Sequence, residues 1–160
     1  MKRSIVFLLL LSGLFVSAAA AQSTIFIVRH AEKAEGGGND PDLSDAGRAR
    51  AESLATTLKD AGISAIYATE LKRTQQTAAP LAKMLHLEPA IIPAKDSAGL
   101  IAKLRASPGN ALVVGHTNTI PDLIKALGIA TPIQIADGDY ENLFVLVLDE
   151  KSRLIHLHYR

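Results

Sequence analysis

Two short apolar runs in this chain end in the same way, each in a histidine. Residues 24–28 are apolar or β-branched throughout and lead into Arg29-His30, and residues 111–114 lead into Gly115-His116. An uninterrupted run of this kind is typical of a strand that is buried on both faces of a parallel sheet. Because ligands of open α/β sheets bind beyond the carboxyl ends of the strands, we expect both imidazoles to face one crevice.

Helical and strand patterns alternate along the rest of the chain. The helical patterns begin at the N-cap candidate Ser44, which precedes a stop at Gly62, and recur over 71–85, 98–106 and 119–127. Further strands are predicted over 63–68 and 90–92, and residues 143–148 and 154–159 flank a polar turn as in a hairpin. This order predicts a three-layer α/β/α sandwich with a mainly parallel sheet and an antiparallel C-terminal hairpin.

Two polar segments are predicted to be loops. Residues 32–42 include three consecutive glycines and are expected to form a mobile loop that can close over a ligand. The triple glycine lacks the Gly-Lys-Ser/Thr ending of a phosphate-binding P-loop. The second segment, Asp137-Gly138-Asp139, precedes the hairpin and is predicted to be a turn.

The N-terminus has the three-part pattern of a secretory signal. Lys2 and Arg3 precede an apolar run over 5–16, and small residues follow up to Ala21. The run is too short to span a bilayer comfortably, so no membrane anchor is expected after cleavage. Cleavage after Ala21 predicts a single domain over 22–160 and an exported protein, either periplasmic or secreted.

Charge and cysteine content exclude several classes of function. Loss of the two basic residues of the leader lowers the formal net charge from +1 to −1, so we expect no nucleic-acid partner. The chain has no cysteine, which excludes disulfides, thiolate nucleophiles and cysteine-based metal sites.

Two arginines accompany the two histidines. Arg29 precedes His30, and Arg73 opens the helix that follows the strand over 63–68. Such a set repels a cation and suits a phosphoryl group, whose equatorial oxygens accept hydrogen bonds from arginine and imidazole. We therefore expect neither a metal nor a cofactor, and one of the histidines as a nucleophile that water later regenerates. The residues alone do not tell which histidine attacks.

Three blocks of this sequence resemble those of one known family. Arg29-His30-Ala31-Glu32, the stretch from Leu71 to Ala78 and Val114-Gly115-His116-Thr117 are similar, in order, to the signature blocks of the histidine phosphatase superfamily, also called phosphoglycerate-mutase-like. The resemblance implies that His30 is the phosphorylated nucleophile. It also implies that Arg29, Arg73 and His116 hold the phosphoryl group, with Thr117 beside them.

The sequence has no obvious counterpart of the glutamate that many members use as general acid. Asp96 lies in the corresponding loop and is favoured for that role, while Glu70 and Glu32 are also near the pocket in sequence. Glu32 is in addition a candidate for substrate binding. The chain is short and has no large cap insertion, so the substrate is expected to be a phosphorylated small molecule or a phosphoprotein. Hydrolysis of phosphate esters or phosphohistidine is the leading hypothesis. The alternatives are a non-catalytic phosphate-binding module and, less favoured because of the predicted export, a phosphomutase.

Overall fold

The computed structural model describes residues 23–149 and 151–160, so the predicted signal sequence lies outside the described residues. The strands are β1 (Ser23–Arg29), β2 (Ile63–Ala68), β3 (Ala90–Ile91), β4 (Asn110–Gly115), β5 (Asn142–Leu148) and β6 (Arg153–His158). The helices are α1 (Asp45–Leu58), α2 (Lys72–Leu85), α3 (Ser97–Ala106) and α4 (Ile120–Ala126). The predicted order of elements is confirmed, with boundaries that differ by a few residues.

All of these strands belong to a six-stranded sheet in the order β3-β2-β4-β1-β5-β6. The pairs β2–β3, β2–β4 and β1–β4 are parallel, whereas β1–β5 and β5–β6 are antiparallel. The mainly parallel sheet with an antiparallel C-terminal hairpin is therefore confirmed. The apolar run of β1 is explained by its central position, since neighbours flank it on both sides and helices cover both of its faces.

Successive residues of β1 point to opposite faces of the sheet, and each face has its own core. Ile25 and Ile27 pack with residues of α3 and α4, including Leu104 and Ile124. Val28 packs on the other face with residues of α1 and α2, among them Leu54, Leu58, Leu81 and Ala82. Helices thus cover the sheet on both sides, and the three-layer prediction is confirmed.

Helix α1 is tied to the segment that follows β1. The Ser44 hydroxyl accepts a hydrogen bond from the Gly47 N–H at 3.1 Å, which confirms Ser44 as the N-cap. A Cβ on Gly47 would lie 2.2 Å from the carbonyl oxygen of Glu32, so this position has no room for a larger residue. The first turn of α1 therefore packs directly against the backbone two residues beyond His30.

Two loops make contacts that the sequence patterns do not predict. Thr119 makes no side-chain capping bond to α4, because its hydroxyl accepts from the His116 N–H at 3.1 Å instead. The glycine-rich segment is folded back on itself, with the Ala34 N–H donating to the Asp42 carbonyl at 2.9 Å. That fold brings Asp40 to the start of α2, where its carboxylate accepts from the Lys72 N–H at 2.9 Å.

None of the helices in the described part of the chain is long and apolar enough to cross a membrane.

Candidate active site

The two histidines that end the buried strands lie side by side. Arg29 pairs with Gly115 in the parallel register of β1 and β4, and the His30 N–H donates to the Gly115 carbonyl at 3.0 Å. The imidazole centroids of His30 and His116 are 5.4 Å apart. The predicted common crevice at the carboxyl ends of the strands is therefore present.

His30 is held in one tautomer by the backbone. Its Nδ1 lies 2.8 Å from the carbonyl oxygen of Ala31, and a carbonyl can only accept a hydrogen bond. The proton of neutral His30 is therefore on Nδ1, and Nε2 has a lone pair. The Ala31 N–H in turn donates to the Thr77 hydroxyl at 2.9 Å, which fixes the backbone beside the ring to α2.

Arg29 is a buried arginine, only 6% exposed, whose guanidinium contacts a loop that precedes β5. Its Nη1 donates to the carbonyl oxygens of Ala136 at 3.1 Å and Asp137 at 2.7 Å. Its Cζ lies 4.2 Å from the centroid of the Tyr140 ring. Its Nε is buried and has no hydrogen-bond partner among the described residues. A buried N–H in that condition is costly unless a ligand supplies the acceptor.

Arg73 lies in the first turn of α2 and lines the same cleft as His30 and His116. Its Nη1 lies 3.5 Å from the Asn39 carbonyl oxygen and 3.9 Å from a carboxylate oxygen of Asp40. Its Nε, like that of Arg29, is buried without a partner in the described part of the chain. In both arginines the shorter contacts are on Nη1, and Nη2 of Arg29 has only a long contact of 3.5 Å to the Tyr140 hydroxyl. The edge formed by Nε and Nη2 is therefore the one best placed for a bidentate acceptor.

His116 is fixed by two threonines at the end of β2 and the start of α2. Its Nε2 lies 3.1 Å from the Thr69 hydroxyl, which is itself 2.9 Å from the hydroxyl of Thr74. The Thr74 hydroxyl is also 2.8 Å from the Leu71 carbonyl and so belongs to the N-terminal turn of α2. One hydroxyl chain thus links the second imidazole to the helix that holds Arg73.

Both imidazoles are electrically neutral near pH 7. The pKa of His30 is lowered to about 4, mainly by burial; the hydrogen bond to Ala31 opposes this shift, and the charge of Arg73 adds to it. Burial likewise lowers the pKa of His116 to about 4, with Arg73 as the next cause, while Glu70 raises it. A neutral His30 with its lone pair on Nε2 is the form that can attack phosphorus.

A cleft of about 630 Å³ opens over these groups. It is lined by His30, Leu71, Arg73, Ala94, Lys95, His116, Thr117, Asn118, Thr119 and Asp137. Three of the residues predicted for the site, and Thr117 as well, therefore line one cavity. Arg29 is not one of the lining residues, but its guanidinium donates to the backbone carbonyl of Asp137, which is.

The structure does not bring the other two predicted residues into the cleft. Asp96 is the N-cap of α3, and its carboxylate accepts from the Gly99 N–H at 2.9 Å. Glu32 forms an ion pair with Arg50, at 2.7 Å, on the side of α1. Both carboxylates are thus engaged in local contacts that the spacing of the sequence did not reveal.

Sequence reasoning missed Lys95, Asn118 and Tyr140. The predicted turn at Asp137-Gly138-Asp139 is present, since the Asp139 N–H donates to the Ala136 carbonyl at 3.0 Å. Its role in holding Arg29 depends on backbone carbonyls, which leave no trace in residue type. Within residues 23–149 and 151–160, no three histidine, aspartate or glutamate side chains lie together as metal ligands would.

The fold and the arginine–histidine cluster define a class of phosphoryl-binding domains, and comparison with known proteins gives its family. Residues 25–95 match the model of the histidine phosphatase superfamily (branch 1). That segment contains the first two of the three sequence blocks and the helix between them. The predicted resemblance to the histidine phosphatase superfamily is confirmed by this match.

The individual relatives are similar to this chain at low sequence identity. An 8-oxo-(d)GTP phosphatase of Mycolicibacterium smegmatis is 28% identical over 126 residues, which are 69% of this chain and 39% of that protein. The chain thus spans well under half the length of this curated relative.

Solved structures share the fold. The protein histidine phosphatase SixA in complex with tungstate is 21% identical, with a TM-score of 0.68 over 84% of this chain and 96% of SixA. An alpha-ribazole phosphatase from Shigella flexneri is 18% identical, with a TM-score of 0.69 over 84% of this chain and 96% of that one.

Proposed function

We propose that this protein is a metal-independent phosphatase that forms a phosphohistidine on Nε2 of His30. One observation above all supports the proposal. The buried Nε–H groups of Arg29 and Arg73 have no partner in the described residues, and they belong to the site of a histidine whose Nε2 is unprotonated. An oxyanion in the cleft would satisfy both donors at once.

The two steps follow from the tautomer of His30. In the first, Nε2 attacks phosphorus, the bond from phosphorus to the leaving group breaks, and the leaving group takes up a proton. The positive charge on the phosphorylated imidazole is stabilised by the hydrogen bond from Nδ1–H to the Ala31 carbonyl. In the second, water attacks phosphorus, the N–P bond breaks, and the water proton and inorganic phosphate leave. Arg29, Arg73 and His116 bind the equatorial oxygens in both steps.

The cleft favours a substrate with a good leaving group. Asp96, the candidate acid, is engaged as a helix cap, and Asp137 is the one carboxylate among the described residues that line the cleft. A phosphorus–nitrogen bond or an activated ester needs little protonation of the leaving group before it breaks. We therefore propose phosphohistidine, on a protein or peptide, ahead of unactivated phosphate esters.

The first experiment compares wild type with His30→Ala on a phosphohistidine peptide and an activated aryl phosphate, with a chelator present. We expect wild type to hydrolyse both and the variant to lose at least a thousandfold in rate, because the nucleophile is gone. His158→Ala is the matched control, since that histidine is exposed on β6. Unchanged turnover in His30→Ala would contradict the assignment of His30 as the nucleophile. Inhibition by the chelator would contradict a metal-independent mechanism.

The same fold also suits a non-catalytic phosphate-binding module. The observation that favours this second candidate is the engagement of Asp96 with the N-terminus of α3. Binding of inorganic phosphate without hydrolysis of either substrate would support the module. The variants Asp137→Asn and Asp96→Asn test which of the two carboxylates is the general acid. The variant that loses ester hydrolysis but retains phosphohistidine hydrolysis identifies that acid.

We further propose that the protein is exported. The proposal is supported by the basic, apolar and small-residue order of residues 2–21 and by the lack of cysteine. Expression of the full chain is expected to give a protein that begins at Gln22, as intact mass will show. Recovery of the chain with its leader intact contradicts the proposal.

A further inference from the structure

We infer that Tyr140 is a positioning residue that holds Arg29 in the orientation required to bind the phosphoryl group. The inference rests on the proposed function, because it concerns the same oxyanion site. Tyr140 comes from the connection between α4 and β5, more than a hundred residues from Arg29 in the chain. Neither its type nor its spacing belongs to the three sequence blocks.

The contacts of Arg29 divide its guanidinium into two edges. Both hydrogens of Nη1 are taken by the carbonyl oxygens of Ala136 and Asp137, at 3.1 and 2.7 Å. Nη2 lies a long 3.5 Å from the Tyr140 hydroxyl, and Nε has no partner among the described residues. The carbonyls therefore fix one end of the group and leave the Nε–Nη2 edge for two oxygens of a phosphoryl group.

The two carbonyls hold one end of the guanidinium, but they make no contact with the edge that carries Nε and Nη2. The ring of Tyr140 supplies the missing restraint. It lies with its centroid 4.2 Å from Cζ, at cation–π distance, and covers one face of the plane. The same ring is 6.2 Å from the imidazole of His30, so Tyr140 lies close to the proposed nucleophile as well as to Arg29.

The turn itself does not depend on Tyr140. Its ends are joined by the Asp139 N–H, which donates to the Ala136 carbonyl at 3.0 Å, and by the Ala136 N–H, which donates to the Asp139 carboxylate at 3.0 Å. Removal of the tyrosine ring therefore leaves the two carbonyls that hold Nη1 in place. The ring can therefore be removed by substitution without loss of the hydrogen bonds that form the turn.

The test measures tungstate binding by calorimetry and the kcat/KM for an activated aryl phosphate in wild type, Tyr140→Phe and Tyr140→Leu. Leucine removes the π face, so we expect tungstate affinity and kcat/KM to fall about tenfold, with an unchanged melting temperature. Phenylalanine retains the ring, and because the hydroxyl contact is long, both quantities should stay within about twofold of wild type. Gly138→Ala is the matched control in the same turn, since a Cβ there meets nothing within 4 Å.

The outcomes separate this inference from the proposed function. If wild type binds tungstate and Tyr140→Leu binds it equally well, Tyr140 does not position Arg29. If phenylalanine is as impaired as leucine, the ring is not the restraint and the inference is likewise overturned. If wild type neither binds tungstate nor turns over, the proposed function fails before the role of Tyr140 is reached.

Discussion

At the scale of single residues, the chemistry of His30 is set by one hydrogen bond and by burial. The Ala31 carbonyl fixes the proton on Nδ1, while burial keeps the ring neutral. The sequence could predict both histidines and both arginines, because these residue types end strands or open a helix in a recognisable block. It could not predict Tyr140 or the carbonyls of Ala136 and Asp137, since nothing local in a turn indicates which arginine its backbone will meet.

The depressed pKa values predict how stability depends on pH. The pKa of His30 and of His116 is lowered to about 4 in the folded protein, whereas an imidazole in the unfolded chain titrates near 6.5. Between these values the unfolded state binds more protons, so the free energy of unfolding rises with pH from about 4 to about 6.5 and is then level for these groups. Each imidazole contributes at most about 1.4 kcal/mol per pH unit.

Urea unfolding at pH 4.5 and pH 7 checks this dependence. Wild type should lose more free energy of unfolding between the two values than His30→Gln/His116→Gln, which has no titrating imidazole in the cleft. His158→Gln, at an exposed position of β6, serves as the control and should behave as wild type does within about 1 kcal/mol. Equal losses in wild type and the cleft variant would mean that the two imidazoles are not neutral in the folded state.

At the scale of elements, the glycine-rich loop places the carboxylate of Asp40 against the first turn of α2. Asp40 accepts from the Lys72 N–H at the start of α2, and its carboxylate lies 3.9 Å from Nη1 of Arg73. The strands and helices themselves could be predicted, because apolar periodicity and caps such as Ser44 are local signals. The path of the glycine-rich loop could not be predicted from the sequence, because it depends on where α2 begins and on which N–H groups there lack an acceptor.

The nearby carboxylate predicts that Asp40→Asn binds oxyanions more tightly. Asparagine keeps an acceptor for the Lys72 N–H but removes a negative charge close to the phosphoryl site. Since Asp40 is partly exposed, the gain in tungstate affinity should be about two- to fivefold and should shrink at high salt. Asp45→Asn, on the exposed side of α1, is the control. Weaker binding by Asp40→Asn would show that the loop supports the ligand instead of competing with it.

At the scale of the whole molecule, the site joins elements from both halves of the chain. Arg29 and His30 follow β1, Arg73 opens α2, His116 follows β4, and Tyr140 precedes β5. A ligand that bridges the two arginines stabilises only the folded state. The melting temperature should therefore rise with tungstate concentration, and differential scanning fluorimetry will measure the rise. Arg29→Gln/Arg73→Gln should abolish it, and a rise that persists in this variant would place the anion elsewhere.

The parallel pairing of β1 with β4 also has a consequence for how the protein acquires its activity. The Thr24 N–H bonds to the side chain of Asn110, 86 residues later, and the neighbouring residues form the register that sets the two imidazoles side by side. Contacts so distant in sequence close slowly, because the intervening chain must lose its entropy first. Oxyanion affinity should therefore appear during refolding only when β1 has paired with β4. A chain truncated before residue 110 should have no such affinity.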